Sequence, residues 1–381
     1  MKITFISNFY NHHQAPFSEA MNTLTDGNYR FIATAPISEE RLNMGWGGEE
    51  TPDFVRMAWT SAEEAAECRS LVDDADVVII GSAARHWLKT RLQAGKLTFY
   101  YSERLYKEGV PYHKLPLHFL KNLKNIIFHK NLYLLCASAY TAADYAKSLT
   151  FLGKAYKWGY FTALKRYENV DALVEEKEKN SILWVSRFIS WKHPELPLAV
   201  AKRLKADGYD FKLRMIGNGE LEAETARVAE AEGLSDCVEL LGAMKPEEVR
   251  AHMEKSEIFL FTSDRNEGWG AVLNESMNSA CAVVANRAIG SVPFLLEDGK
   301  NGCTYTDAEE LYRKVKTLLD DADTRRRMAK EAYFTMVSEW NAENAASKLL
   351  TLCEHILAGE RNPAPFASGV CSKAKILRDP H

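Results

Sequence analysis

No two of the seven cysteines form a C-x-x-C pair, and their number is odd, which excludes a disulfide framework and a thiolate zinc site and fits a reducing cytoplasm. Long apolar runs are also missing. No stretch approaches the ~20 residues needed to cross a bilayer. The run Met1-Lys2-Ile3-Thr4-Phe5-Ile6-Ser7 meets polar Asn8 before a signal-peptide core could form, so it reads as a strand. Neither sign of charge dominates: 48 Lys and Arg stand against 52 Asp and Glu, a formal charge of -4. That is too near balance for bulk attraction to nucleic acid or membrane. Nucleic acid is therefore not an expected partner, and any basic patch must be local. With 21 Gly, 12 Pro and 46% hydrophobic residues, a disordered or collagenous chain is excluded.

What is present is alternation. A length of 381 residues favours two domains. Short apolar runs at 3–7, 29–34, 77–81, 97–101 and 132–136 alternate with helical-period stretches, the pattern of βαβ units around a parallel sheet. It restarts at 182–186, 211–216, 238–241, 258–262, 283–285 and 303–305. Between the two series lies the charged, apolar-poor stretch Glu175-Glu176-Lys177-Glu178-Lys179-Asn180, where a chain crossing between two cores is expected. The expected fold is α/β with two doubly wound Rossmann-like domains, 1–170 and 171–340, facing each other across a cleft. Ligands are expected there, outside the carboxyl ends of the strands. The segment 361–381 lacks periodicity and reads as an irregular tail.

The segment after the 258–262 strand is the most informative. Glu267 and Glu275 lie eight positions apart around Gly268-Trp269-Gly270-Ala271-Val272. A helix beginning near Gly268 would turn free N–H groups towards a phosphate. Glu275 would then suit a ribose diol and Glu267 sugar hydroxyls; the plain alternative is a helix start with an acidic first turn. After the 182–186 strand, Arg187 and Lys192 stand five positions apart, a planar fork and a point charge suited to a diphosphate, or simply a solvated loop. Gly217-Asn218-Gly219 and Gly242-Ala243-Met244 end the next two strands. Four strand ends with compatible chemistry point to one site.

In these pieces residues 181–306 resemble the donor-binding domain of glycosyltransferase family 4, the retaining GT-B enzymes of the glycosyltransferase group 1 family, polysaccharide-biosynthesis type. The resemblance implies that Arg187 and Lys192 neutralise the pyrophosphate of a nucleotide sugar and Glu275 binds the ribose. It further implies that Glu267 orients the transferred sugar and that the Gly242, Ala243 and Met244 loop lies beside the base. Gly217, Asn218, Gly268, Trp269, Gly270, Ala271 and Val272 complete the donor set. Anomeric retention, same-face attack assisted by the departing phosphate oxygen, and a helix over 341–358 returning to the amino-terminal domain are implied likewise. Ala280-Cys281-Ala282-Val283 and Pro293-Phe294 depart from the family pattern and leave the donor's identity open.

The amino-terminal half resembles the family more weakly. The loop Asn8-Phe9-Tyr10-Asn11-His12-His13-Gln14-Ala15-Pro16 has no glycine, which speaks against an NAD fingerprint. Similar loops in polysaccharide-assembly glycosyltransferases face the donor phosphate and the acceptor. This makes His13 a candidate catalytic residue and His12 and Gln14 acceptor candidates, or else polar surface side chains. Glu103, where many relatives carry a cleft histidine, and Ser138, at another strand end, are further acceptor candidates. Between residues 85 and 130, ten Lys and Arg face only Glu103 and Glu108. There Pro116, Phe119, Leu120, Leu123, Ile126 and Ile127 recur at helical spacing beside Lys114, His118, Lys121 and Lys124. Such a helix suits an anionic membrane surface or a lipid-linked diphosphate; the alternative is a core-facing helix with a solvated basic side. The triplets Asp74-Ala75-Asp76 and Asp321-Ala322-Asp323 do not look like metal sites, and no metal or other cofactor is expected beyond the donor substrate.

The resulting expectation is a metal-independent retaining glycosyltransferase, cytoplasmic, with the basic region as a candidate for peripheral attachment to the inner face of the membrane. It would move a sugar from a UDP- or GDP-sugar to a hydroxyl of a glycan or lipid-linked acceptor in cell-surface polysaccharide biosynthesis. The alternatives are a sugar-nucleotide epimerase or hydrolase on the same architecture and a noncatalytic nucleotide-sugar or glycan-binding subunit.

Overall fold

Strands that read as continuous apolar runs, rather than alternating ones, need cover on both faces, and helices on each side of a parallel sheet supply it. The computed structural model, which describes residues 1–39 and 51–378, has this arrangement twice. One unit comprises Met1–Ala163 and Trp340–Arg378, the other Leu164–Glu339.

The first unit carries β1 (Ile3–Ser7), β2 (Tyr29–Ala33), β3 (Val55–Met57), β4 (Val77–Ile80), β5 (Leu97–Ser102), β6 (Leu132–Cys136) and β7 (Ala155–Lys157). All pairs are parallel, in the order β3-β2-β1-β4-β5-β6-β7. The direction of winding reverses between β1 and β4. β3 and β7, at three residues each, are not among the strands expected from the sequence. The helix Ala342–Leu357 belongs to this unit, capped by Asn341 and burying Ala345, Leu349, Leu352 and Ile356 on one face.

The tail beyond 361 has no regular element, yet it lies along β7. Lys157 and Cys371 donate to the carbonyls of Ser372 and Lys157, and Ala374 to that of Ala155. Val370 and Cys371 are buried. The tail thus covers the sheet edge that β7 would otherwise present to solvent. Residues 379–381 lie outside the described residues.

The second unit carries β8 (Glu178–Val185), β9 (Lys212–Ile216), β10 (Val238–Gly242), β11 (Ser256–Phe261), β12 (Ala282–Asn286) and β13 (Cys303–Tyr305). Again all are parallel, in the order β10-β9-β8-β11-β12-β13. Here the winding reverses between β8 and β11.

The charged stretch at 175–180 is not a crossing between cores. The second unit begins at Leu164 rather than 171, and the charged residues are built into its sheet. Glu178 opens β8 and pairs with Arg214 of β9, Nη1 to Oε2 2.5 Å. Lys177 is buried, and its ammonium donates to the carbonyls of Met253, Glu254 and Ser279 at 3.0, 2.9 and 2.9 Å. Burial pushes its pKa down. Charge density therefore misled here, because a lysine can be satisfied inside a fold by carbonyls at helix ends. Lys177→Met removes three hydrogen bonds to main-chain carbonyls and should lower the unfolding free energy by about 2–4 kcal/mol. Chemical denaturation measures this, and a change below about 0.5 kcal/mol would contradict the role.

Candidate active site

In an open parallel sheet, adjacent strand ends diverge where the winding reverses, and the gap there takes the ligand. In the second unit β8 and β11 border that point, and their carboxyl ends lead into the two loops that carry Arg187–Lys192 and Glu267. Register Ile182 to Ile258, Leu183 to Phe259 and Trp184 to Leu260 sets the loops side by side. The Lys192 ammonium pairs with Glu267 Oε2, and both side chains are 11% exposed. Ser263 Oγ donates to the same carboxylate oxygen at 3.0 Å. Trp191 lies beside both cations: Lys192 Nζ is 4.3 Å and the exposed Arg187 guanidinium carbon 5.8 Å from its ring centroid, within cation–π range.

Buried hydrogen bonds fix these loops from beneath. Trp184 Nε1 donates to Thr262 Oγ1 at 2.8 Å, and that hydroxyl donates to the Lys192 carbonyl at 2.7 Å. The Asp264 amide donates to the Trp191 carbonyl at 3.0 Å. Gly217 and Gly219 take φ of +140° and +151°, and a Cβ at either would strike the carbonyl of Ser186 or Phe188 at 1.8 or 2.4 Å. These glycines let the loop after β9 press against the Arg187 loop, where Phe188 donates to the Asn218 carbonyl at 2.7 Å. Gly242, at the end of β10, accepts from Gly217 at 2.9 Å; Ala243 beyond it is exposed and Met244 half-buried.

The helix expected near Gly268 starts four residues later, at Val272, and runs only to Asn278. Trp269 accounts for the delay. Its ring is buried, its indole N–H donates to Asn274 Oδ1 at 2.9 Å, and the chain turns around it through Gly268 and Gly270. Gly270 has φ +81°, and a Cβ there would meet the Phe261 ring at 2.3 Å. Ala271 precedes the helix. Glu275 is half-buried on the helix, and burial pushes its carboxyl pKa up against the opposing charge of Arg250. The structure therefore joins Arg187, Lys192 and Glu267, while Glu275 stands on its own element beside Arg250, which donates to the Glu275 carbonyl at 3.3 Å.

In the first unit the loop after β1 turns on Asn11, whose Oδ1 accepts from the His13 amide at 2.9 Å. The His12 and His13 rings lie 4.0 Å apart at a tilt of 52°, and His13 stacks on Tyr160 at 5.8 Å. Tyr160 donates to Glu103 Oε1 at 2.5 Å, while Glu103 Oε2 pairs with Lys107 at 2.8 Å. Burial pushes the Tyr160 and Tyr101 phenols well above their ordinary value, so both remain protonated donors. Gln14 Oε1 is buried without a hydrogen-bond partner among the described residues. Ser138 is buried and its hydroxyl accepts from the Tyr140 amide at 3.3 Å, which makes it part of a turn.

The basic region is not one solvated face. Arg91 is buried and donates to Thr98 Oγ1 and to the main-chain carbonyls of Val72, Ala75, Asp76 and Leu97. Arg104 is buried against Asp144 at 3.7 Å. The side chain of Lys124 lies outside the described residues. Of the two acidic triplets, Asp76 accepts from the Lys2 amide and Asp321 caps the helix Ala322–Ser338. Sequence reasoning missed Trp191, Ser263, Thr262, His193 and Tyr160. Only Thr262 and Ser263 carried a signal, as polar residues ending a buried strand.

The two reversing parallel sheets with this strand-end chemistry define the GT-B class of fold. The family model described as "Glycosyl transferases group 1" matches residues 165–334. The chain is 28% identical over 177 residues to the alpha-D-kanosaminyltransferase of Streptomyces kanamyceticus, covering 46% of this chain and 45% of that protein. It is 27% identical over 180 residues to the putative colanic acid biosynthesis glycosyltransferase WcaL of Salmonella typhimurium, covering 45% and 44%. Each match thus spans less than half of the relative's own length. The structure of Anabaena Alr3699/HepE in complex with UDP and glucose is similar in fold, with a TM-score of 0.64 at 14% identity, over 94% of this chain and 100% of that one.

Thr262→Val keeps the shape but removes the hydroxyl that accepts from the Trp184 N–H and donates to the Lys192 carbonyl. It should lower the unfolding free energy by about 2 kcal/mol. An unchanged denaturation midpoint would show that Thr262 does not hold the Lys192 loop.

Proposed function

We propose that this chain is a retaining glycosyltransferase that moves a sugar from a nucleoside diphosphate sugar to a hydroxyl of a glycan or lipid-linked acceptor in polysaccharide biosynthesis. The observation that carries the reading is the pairing of Lys192 with Glu267, beside Arg187 across Trp191, at the reversal point of the sheet. A free cation at a surface would be solvated; this one is held under cover with a carboxylate as counter-ion. When a diphosphate enters, Lys192 exchanges the carboxylate for phosphate oxygens, and the released Glu267 accepts from the hydroxyls of the transferred sugar.

The bond between the anomeric carbon and the phosphate oxygen breaks, leaving negative charge on the departing diphosphate. Arg187 and Lys192 stabilise that charge more in the transition state than in the bound donor, which is what accelerates the step. The acceptor oxygen bonds the anomeric carbon on the face the phosphate leaves, and its proton passes to the departing phosphate oxygen. Glu275 binds the ribose. Gly217, Asn218, Gly242, Ala243, Met244 and the 268–272 turn shape the nucleotide pocket. His13 is a catalytic candidate, and the acceptor candidates are His12, Gln14, Glu103 and Ser138, with Tyr160 ordering Glu103.

UDP- and GDP-sugars are the first donors to assay. Alr3699/HepE, whose structure contains UDP and glucose, sets the UDP-sugars first. Release of nucleoside diphosphate that requires an added acceptor, in the presence of EDTA as in its absence, is the expected result. Acceptor-independent turnover would instead indicate an epimerase or hydrolase, and donor binding without turnover a noncatalytic subunit. Arg187→Ala should lower kcat by about 10²–10³-fold with the fold intact, and Glu275→Ala should weaken nucleotide binding about tenfold. Full turnover by the arginine variant would overturn the assignment.

We further propose that the first unit attaches peripherally to an anionic membrane surface. The helix Leu115–Asn122 leaves Leu117 and Leu120 exposed at 66% and 62%, and Tyr112 and Phe128 are each 72% exposed, beside the exposed Lys114 and Lys121. Among the described residues no helix is long and apolar enough to cross a membrane. Apolar side chains ringed by lysines fit the boundary between headgroups and acyl chains of acidic lipid. Vesicles containing phosphatidylglycerol should bind the protein, and Leu117→Glu with Leu120→Glu should weaken that binding about tenfold. Equal sedimentation of variant and parent would refute the attachment.

A further inference from the structure

His193 follows Lys192 directly and sits in a backbone conformation that needs explaining. Its φ and ψ are +53° and +58°, in the left-handed region, although a residue before proline ordinarily takes an extended conformation. Here Pro194 follows. The left-handed turn throws the imidazole between two carboxylates on different elements. Nδ1 lies 2.7 Å from Oε1 of Glu195, which opens the helix Glu195–Ala206, and Nε2 lies 3.4 Å from Oδ2 of Asp264, in the loop after β11.

Asp264 is the hinge of the loop that carries Glu267. Its own amide donates to the Trp191 carbonyl at 3.0 Å, its Oδ1 accepts from the Asn266 amide at 2.7 Å, and its carbonyl accepts from the Glu267 amide at 3.1 Å. One imidazole thus ties the loop after β8 to the loop after β11, one residue from Lys192 and three from Glu267.

We propose that His193 is a positioning residue: as an imidazolium bridging Glu195 and Asp264, it holds the Lys192 and Glu267 loops at the spacing that receives the donor diphosphate. The inference rests on the donor-site reading above for its function, though not for the bridge itself. The hydrogen bond to Glu195 raises the His193 pKa above its ordinary 6.5 against the opposing effect of burial, and the charges of Glu195 and Asp264 add to the rise. Burial pushes the Glu195 pKa up, but the hydrogen bond to His193, a main-chain hydrogen bond at Glu195 and the His193 charge together bring it below its ordinary value. The other charged groups nearby are engaged elsewhere: Lys192 with Glu267, while Tyr305 of β13, beyond Glu195, stays a neutral phenol. Because the folded-state pKa is raised, the bridge is fully present below the ordinary histidine value and is lost as pH rises through the higher folded-state value.

The test compares the full chain with His193→Asn, since asparagine tolerates the left-handed backbone and cannot become a cation. Hydrogen-exchange protection of the Asp264, Asn266 and Glu267 amides is measured at about pH 6 and about pH 9 without ligand, with UDP and GDP affinity measured at the same pH values. In the parent, protection and affinity should both fall about tenfold from the lower to the higher pH; in the variant both should be low at either pH. Titration of the nucleotide's own phosphate is common to both proteins. The same pH dependence of these amides in the variant as in the parent would overturn the bridge. If neither nucleotide binds the parent at any pH, the donor-site reading fails, while the amide protection still decides whether His193 joins the two loops.

Discussion

Everything in the second unit follows from one pairing. β8 and β11 are neighbours in the sheet though 70 residues and two strands separate them in the chain. Their parallel alignment points both carboxyl ends the same way, and the reversal of winding leaves a gap between the loops beyond. A lysine and a glutamate at those ends meet in that gap. In a sheet wound in one direction throughout, an intervening connection would fill the space.

The meeting of Lys192 and Glu267 has an electrostatic consequence. A buried ion pair gains little net stability, because the cost of removing both charges from water nearly cancels their attraction. Its value lies in orientation. Lys192 is already stripped of most of its water and held against a carboxylate, so in the proposed donor role an entering phosphate would replace that carboxylate rather than a hydration shell. The rigid parts beneath, from the Trp184 indole through the Thr262 hydroxyl to the Lys192 carbonyl, keep that aim. The glycines after β9 serve the same end, since only residues without a Cβ let the neighbouring loop lie so close to Arg187.

Charged residues in this chain do three kinds of work that their spacing does not distinguish. Lys177 and Arg91 are internal fasteners, each closing several main-chain carbonyls. Lys192 is a mostly covered cation held by a carboxylate at a strand end. Lys114 and Lys121 are solvated beside exposed leucines. A run of charges in the sequence reads the same in all three cases, which is why the stretch at 175–180 suggested a linker and proved to open a central strand.

The sequence by itself determined the two series of parallel strands, most of them to within a residue or two, because strands buried on both faces must be apolar throughout. It also pointed to Arg187, Lys192, Glu267 and Glu275, because strand ends in such sheets are where polar chemistry collects. The edge strands β3 and β7 of the first unit escaped it, although β13, equally short, was among those expected. Only the tertiary structure decided that Lys192 pairs with Glu267, that Tyr160 orders Glu103, and that His193 lies between Glu195 and Asp264. It also decided that the helix after Gly268 waits until Val272. Each of these depends on which strands are neighbours or on how one large ring packs, and a strand order of 10-9-8-11-12-13 brings together residues whose separation along the chain carries no trace of the contact.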